Sequence, residues 1–216
     1  MEKVSNVKTH TQYKLADGRR VPGVTTVLGI LAKPALIHWA WDLGCKGIDY
    51  RKYRDKMASV GTLAHYMVEC DLRGDVPELA AYSPEEIALA ENCLIKYYEW
   101  RRENDLRPLI VEGAFVSEKH GYGGTIDCYG VLNGALTLID LKTGKGIYPE
   151  MITQLAAYHQ LLVEHGHEVK AVRILRIGRS EDEGFEEQRK TIAELRKHWK
   201  RFRHCLEIYR LNKEIA

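Results

Sequence analysis

A chain of 216 residues that is 45% hydrophobic and 29% charged is long enough for one sizeable core and has the balance of a globular protein in water. Its formal net charge of +2 excludes a strong polyelectrolyte binder, so any nucleic acid must be met by a local patch. The five cysteines (Cys45, Cys70, Cys93, Cys128 and Cys205) are scattered without a C-x-x-C pair, which argues against a disulfide framework and a local zinc or iron–sulfur motif, and a reducing, cytoplasmic setting is expected.

No apolar run reaches membrane-spanning length, and Met1-Glu2-Lys3 leads into polar sequence rather than a signal peptide. Residues 10–22 read as a small hairpin turning at Asp17-Gly18. Pro22-Gly23-Val24-Thr25-Thr26 then opens a helix, with Thr25 or Thr26 as its cap. Residues 31–105 read mainly as helices, because apolar and aromatic positions recur at helical spacing around Ile37–Trp41 and Leu94–Trp100. Breaks fall at Gly44, at Gly74-Asp75-Val76-Pro77 and at Ser83-Pro84-Glu85-Glu86, where a new helix starts. Strands are expected at 109–117, 124–132 and 135–142. A helix follows from Tyr148-Pro149-Glu150 to about Glu164, then a strand over Val169–Ile177 and a long terminal helix over Glu186–Asn212.

The middle strands carry the chemistry. Asn133-Gly134 between two apolar runs is the strongest short-range sign of a two-residue type I′ turn. With Leu132 opposite Ala135, counting back along both strands brings Asp127 opposite Asp140 on one sheet face. Like charges in that relation repel at roughly 5 Å, and a divalent cation between them is the simplest remedy. Lys142 shares the face, two residues beyond Asp140. Leu136, Leu138, Ile139 and Leu141 make this strand apolar on both sides, as a central strand would be. Two carboxylates and an ammonium suit phosphodiester hydrolysis: oxygen ligands hold a hard cation, and a lysine orients water or steadies an anionic phosphate oxygen.

Other pairs add to this set. Gln154 and Tyr158 stand one turn apart on one helix face, as do His65 and Glu69. Imidazole can join carboxylates around a manganese- or magnesium-like ion, and Glu112 on the first strand is a further candidate carboxylate. Arg51-Lys52-Tyr53-Arg54-Asp55-Lys56 combines cations with an aromatic ring, a mixture suited to single strands or to a solvated helix face. Between residues 186 and 214, nine Lys/Arg stand against five Glu, a second basic stretch. No G-x-G-x-x-G or Walker A motif supports a nucleotide-cofactor enzyme.

Taken together these motifs resemble the PD-(D/E)XK nuclease superfamily, and in particular its RecB-like exonuclease branch of phage-type and mitochondrial genome-maintenance exonucleases. Gly61-Thr62 through His65 and Glu69 is similar to the G-T-x-x-H motif of that branch. Gly124-Thr125-Ile126-Asp127 is similar to its G-x-x-D strand, and Ile139-Asp140-Leu141-Lys142-Thr143-Gly144-Lys145 to its D-x-K strand. Gln154 to Tyr158 is similar to Q-x-x-x-Y, and Val21–Leu28 to the P-S-V-T opening, with Gly23 in place of the serine.

The resemblance implies an α/β, restriction-endonuclease-like core, with a mixed central sheet flanked by helices and an N-terminal helical elaboration. The expected organisation is a single nuclease domain over 1–216: hairpin and helix start at 1–30, helical region at 31–105, catalytic core and terminal helix at 106–216. His65, Asp127, Asp140 and the Leu141 carbonyl would ligate Mg²⁺ or Mn²⁺, with Glu69 and Glu112 as further candidates. Lys142 would position or activate water, and Gln154 and Tyr158 would brace the site. Arg51, Lys52, Tyr53, Arg54, Lys56, Thr143 and Lys145 would meet DNA. The cysteine spacing does not match the four-cysteine cluster of some relatives, so no iron–sulfur cluster is expected. The activity implied is a DNA exonuclease preferring single strands or free ends, with a restriction-like endonuclease or a non-cleaving DNA-binding scaffold as alternatives. A helicase, recombinase or CRISPR partner, and a phage or mobile-element origin, are compatible with the resemblance.

Overall fold

The computed structural model describes residues 11–215. The polar lead-in at Met1-Glu2-Lys3, and His10 at the start of the first hairpin, lie outside the described residues. The chain begins with β1 (Tyr13–Lys14) and β2 (Arg20–Val21), which pair around Gly18 at φ 84°. Four helices follow: α1 (Val24–Leu28), α2 (Pro34–Cys45), α3 (Tyr50–Arg73) and α4 (Pro84–Glu103). Then come β3 (Leu106–Ser117), β4 (Tyr122–Leu132), β5 (Ala135–Lys142), α5 (Pro149–Glu164), β6 (Ala171–Ile177), β7 (Phe185–Thr191) and α6 (Ile192–Glu214).

Local chemistry accounts for the boundaries. Asp49 caps α3 by accepting from the amides of Arg51 and Lys52, and Gly74 ends it in the left-handed conformation. Ser83 and Glu86 form a reciprocal capping box at α4, with Pro84 in the first turn. One expectation fails at α1: Thr25 and Thr26 lie inside the helix, and the cap is Gly23, which has no side chain to accept a hydrogen bond.

The five large strands form one mixed sheet in the order β3-β4-β5-β6-β7. All neighbours are antiparallel except β5 and β6, which run parallel because α5 carries the chain back across the sheet. β5 is thus the central strand, buried from Thr137 to Leu141. One sheet face packs on α1, α5 and α6 through Ile126, Leu138 and Ile174. The other packs on α3 and α4 through Cys128, Ile139, Leu141 and Leu175.

The terminal helix is shorter than the sequence suggests. Residues 185–191 form β7, an edge strand along β6, and α6 begins only after Thr191, which makes a capping box with Glu194. Phe-Glu-Glu-Gln-Arg-Lys-Thr has no apolar alternation, because an edge strand with charged side chains resists pairing with other chains. Its signal is complementarity: Glu186 pairs with Arg176 at 3.1 Å, and Glu187 pairs with Arg173, both across from β6.

Candidate active site

His65 reaches the sheet because α3 lies unusually close to the end of β5. A Cβ on Gly61 would stand 2.8 Å from Thr143 Oγ1, a spacing that only glycine permits without a shift. One turn further along α3, His65 Nδ1 comes to 3.7 Å from Asp127 Oδ2. Sequence periodicity places His65 on a helix face, and the Gly61–Thr143 approach decides what that face meets.

Across the sheet, the registers align three carboxylates. Val111↔Cys128 and Gly113↔Ile126 bracket Glu112 opposite Asp127, and the β4–β5 register, carried one pair further, would set Asp140 opposite Asp127. The ladder itself stops at Cys128↔Ile139, one pair short of Asp127 and Asp140. There the strands part, and Asp127 Oδ2 accepts the backbone N–H of Leu141 at 2.7 Å. Strict alternation also breaks at this row. On β4, Ile126 faces the α5–α6 core whereas Cys128, two residues on, faces the α3–α4 core. Glu112 sits beside the break with φ 51°, a left-handed backbone that costs a side-chain-bearing residue about 1 kcal/mol or more. Such strain is characteristic of functional positions.

Asp140 is 1% exposed and its Oδ2 lies 2.6 Å from Lys142 Nζ. Among the described residues neither oxygen has a hydrogen-bond partner of sound geometry, so Oδ2 is held by the ammonium charge and Oδ1 is left open. Burial pushes the Asp140 carboxyl up to about 6, with the Asp127 charge adding to that and Lys142 opposing it. Burial also works against the charges on Lys142 and His65, but neighbouring carboxylates prevail. Asp140 and Asp127 raise Lys142, and Asp127 raises His65. Burial disfavours the Asp127 anion as well, yet His65, Lys142 and the Leu141 amide hold its pKa below the usual carboxylate value.

On the other side of the sheet, Gln154 Nε2 donates to Tyr158 Oη at 2.8 Å, joining the two residues that sequence spacing placed on one face of α5. The Tyr158 ring lies against β4 at Gly124, where a Cβ would be 2.6 Å from Tyr158 Cε1. Burial raises the Tyr158 phenol well above its usual value, reinforced by the Asp140 charge, so it stays protonated. Tyr13 lies on the opposite face, over Gly123, with its hydroxyl 2.9 Å from Thr125 Oγ1, a residue of the cleft lining. Nothing in the sequence marks Tyr13, because its neighbour is 112 residues away.

The cleft in front of this row has a volume of about 410 Å³ and is lined by Met57, Ala58, Gly61, Thr62 and His65 of α3 together with Glu112, Thr125, Asp127 and Thr143. Donor atoms of His65, Glu112 and Asp127 lie within 4.8 Å of one another, a mixed imidazole–carboxylate set of the kind that suits a hard or borderline cation. Asp140 is not one of these three donors, but its charge acts on His65 and Asp127, and its buried Oδ1 has no hydrogen-bond partner among the described residues. Glu69, by contrast, pairs with Arg73 of its own helix at 3.1 Å and is not part of this donor set. Lys145 is exposed beyond the cleft. Arg51, Lys52 and Arg54 are exposed on the first turns of α3; Tyr53 packs against Trp39, and Lys56 pairs with Glu85. The described cysteines are all free, Cys45 exposed and the other four buried. Among the described residues no helix is long and apolar enough to cross a membrane.

No family model and no curated protein matches this sequence. Among solved structures, the chain is similar to the alkaline exonuclease LHK-Exo from Laribacter hongkongensis, with 14% identity and a TM-score of 0.36 over 74% of this chain and 92% of that one. The same exonuclease in complex with dAMP aligns with 17% identity and a TM-score of 0.33, again over 74% and 92%.

Proposed function

We propose that the chain is a divalent-metal-dependent deoxyribonuclease that acts as an exonuclease on single strands or free DNA ends. The observation that carries this reading is buried Asp140, whose one oxygen is held by Lys142 and whose other is open, next to the donor set of His65, Glu112 and Asp127. Burying a carboxylate with half its bonding capacity unused is unfavourable unless a ligand completes it.

His65, Asp127, Asp140 and the Leu141 carbonyl would hold Mg²⁺ or Mn²⁺, with Glu112 as a further ligand. When bound, the cation supplies charge neutralisation at phosphorus and a more acidic water. Asp127 fixes the opened strand end by accepting the Leu141 amide. Its N–H and carbonyl project from the same strand edge, so that contact also aims the Leu141 carbonyl towards β4. Lys142 is kept cationic by two carboxylates, which favours a role in orienting water and steadying a phosphate oxygen over one as a free base. Gln154 and Tyr158 act as positioning residues behind the sheet.

Linear and circular single strands of equal sequence, with Mg²⁺ or Mn²⁺, test the mode of attack. Stepwise loss of the linear strand, with the circle intact, is expected. Equal cutting of the circle would replace the exonuclease reading by an endonuclease one.

A further inference from the structure

Helix α2 has almost no polar side. Trp39 and Leu43 turn inward, with the Trp39 ring centroid 6.0 Å from that of Tyr53 on α3. Leu36, Ile37 and Trp41 stand on the outside, Ile37 and Trp41 being 73% and 70% exposed. A helix that is apolar on both sides is ordinarily covered, and an exposed patch of this kind marks a binding surface.

The segment from Lys33 to Lys56 carries six Lys/Arg against three Asp; Lys46 and Arg54 pair with Asp42 and Asp55, and Lys33 and Lys56 with Glu150 and Glu85. Arg51 and Lys52 are exposed beside Arg54, and exposed ion pairs hold weakly, so a polyanion can take up these cations, whereas a second copy would bring the same cations again.

The arrangement on α3 is directional. At about 3.6 residues per turn, Tyr50, Arg54, Ala58, Gly61 and His65 fall in one stripe, with Arg51 at its border and Lys52 and Lys56 on the opposite side. Lys56 bears this out by reaching Glu85 of α4 at 2.5 Å. Ala58, Gly61 and His65 line the cleft, so the stripe runs unbroken from the site to the α2 corner. From His65 to Tyr50 it covers about 22 Å. The Arg51 guanidinium lies over the Tyr50 ring at 5.8 Å, adding a cation and an aromatic face at its outer end.

We propose that this stripe and the outer face of α2 form an entry track for single-stranded DNA, in which Arg51 and Arg54 take phosphates while Tyr50 and Trp41 stack on unpaired bases. The proposal rests on the nuclease reading for what the cleft does with the strand. Duplex DNA is disfavoured, since its bases are already stacked on one another and offer no free face to these rings.

The test is binding of a fluorescent oligo-dT of about 20 nucleotides and of a duplex of equal length to the full chain in EDTA, which separates binding from cleavage. The wild type is expected to prefer oligo-dT. The R51A/R54A variant should bind it about tenfold more weakly, and the slope of log affinity against log salt should fall by about 1.4, as for two lost phosphate contacts. W41A should lose about five- to hundredfold with its salt slope unchanged. K119A and R102A, cations elsewhere on the surface, should bind as the wild type does. Unchanged affinity in R51A/R54A and W41A would overturn the track, as would W41A altering only the mass measured by light scattering, which would make the face a self-association surface. Track-dependent binding without cleavage in metal would overturn the nuclease reading alone.

Discussion

Leu141 gives its backbone N–H to Asp127 Oδ2 at 2.7 Å, one step beyond the last ladder pair of β4 and β5. In an unbroken hairpin of this register that amide would face the Ile126 carbonyl. A side-chain carboxylate has taken the place of a backbone acceptor, so the opening of the sheet and the placing of Asp127 are one event. The space it creates is where Glu112 and His65 arrive.

Glu112 holds a strained backbone in the middle of a strand, and that strain is expected to serve the site rather than the fold. Glycine accepts φ 51° without penalty and alanine does not, so Glu112→Gly should be more stable than Glu112→Ala by about 1 kcal/mol. Both should bind Mn²⁺ at least about tenfold more weakly, as expected for a lost carboxylate ligand. Thermal denaturation and Mn²⁺ titration check the pair. Undiminished Mn²⁺ affinity in both variants would remove Glu112 from the ligand set.

Gly61 and Thr143 should be coupled. Gly61→Ala places a methyl group 2.8 Å from Thr143 Oγ1 but 4.0 Å from Thr143 Cβ. The single variant should lose about 1–3 kcal/mol to overpacking and weaken metal binding by moving His65. Adding Thr143→Ala removes the clashing oxygen, and the double variant should recover, with alanine's helix propensity adding up to about 1 kcal/mol. Additive effects in this cycle would mean that α3 is not seated by that approach.

Much of the arrangement of these residues is legible in the sequence because turns and periodicity fix register. Asn133 at φ 49° and Gly134 at φ 81° form the tight turn that Asn-Gly signals, and Leu132↔Ala135 to Cys128↔Ile139 pair as that turn requires. The central position of β5 followed from apolar residues on both of its faces. What stayed hidden depends on distance in the chain or on broken rules. The seating of His65 depends on residue 143, and the row at Asp127 violates the alternation that strand reading assumes. The sequence of β7 reads as helix because Glu186, Glu187, Arg189 and Lys190 favour helix locally, while the arginines that Glu186 and Glu187 meet belong to another strand.

The Asp140–Lys142 pair should give the metal-free protein a pH signature. A carboxyl whose pKa is raised on folding, here from 3.8 to about 6, stabilises the fold below its unfolded pKa and loses that contribution as pH rises through about 6. Lys142→Met strands the carboxylate, so it should cost about 3–5 kcal/mol at alkaline pH, and less as pH falls and Asp140 takes up a proton, which without the lowering effect of Lys142 happens at a higher pH than in the wild type. Asp140→Asn with Lys142→Met should restore stability to within about 1 kcal/mol of wild type or exceed it. Urea unfolding in EDTA at acidic and alkaline pH checks this; a Lys142→Met deficit equal at both would contradict it.

The most direct measurement is cleavage of end-labelled linear single- and double-stranded DNA by the wild type, Asp140→Ala and Lys142→Ala, each with Mg²⁺, Mn²⁺ or EDTA. The expected result is metal-dependent loss of label by the wild type, faster on single strands, and at least about a hundredfold slower cleavage by both variants while their binding in EDTA persists. Equal cleavage in EDTA, or activity retained by Lys142→Ala and Asp140→Ala, would contradict the assignment of this row of residues as the catalytic site.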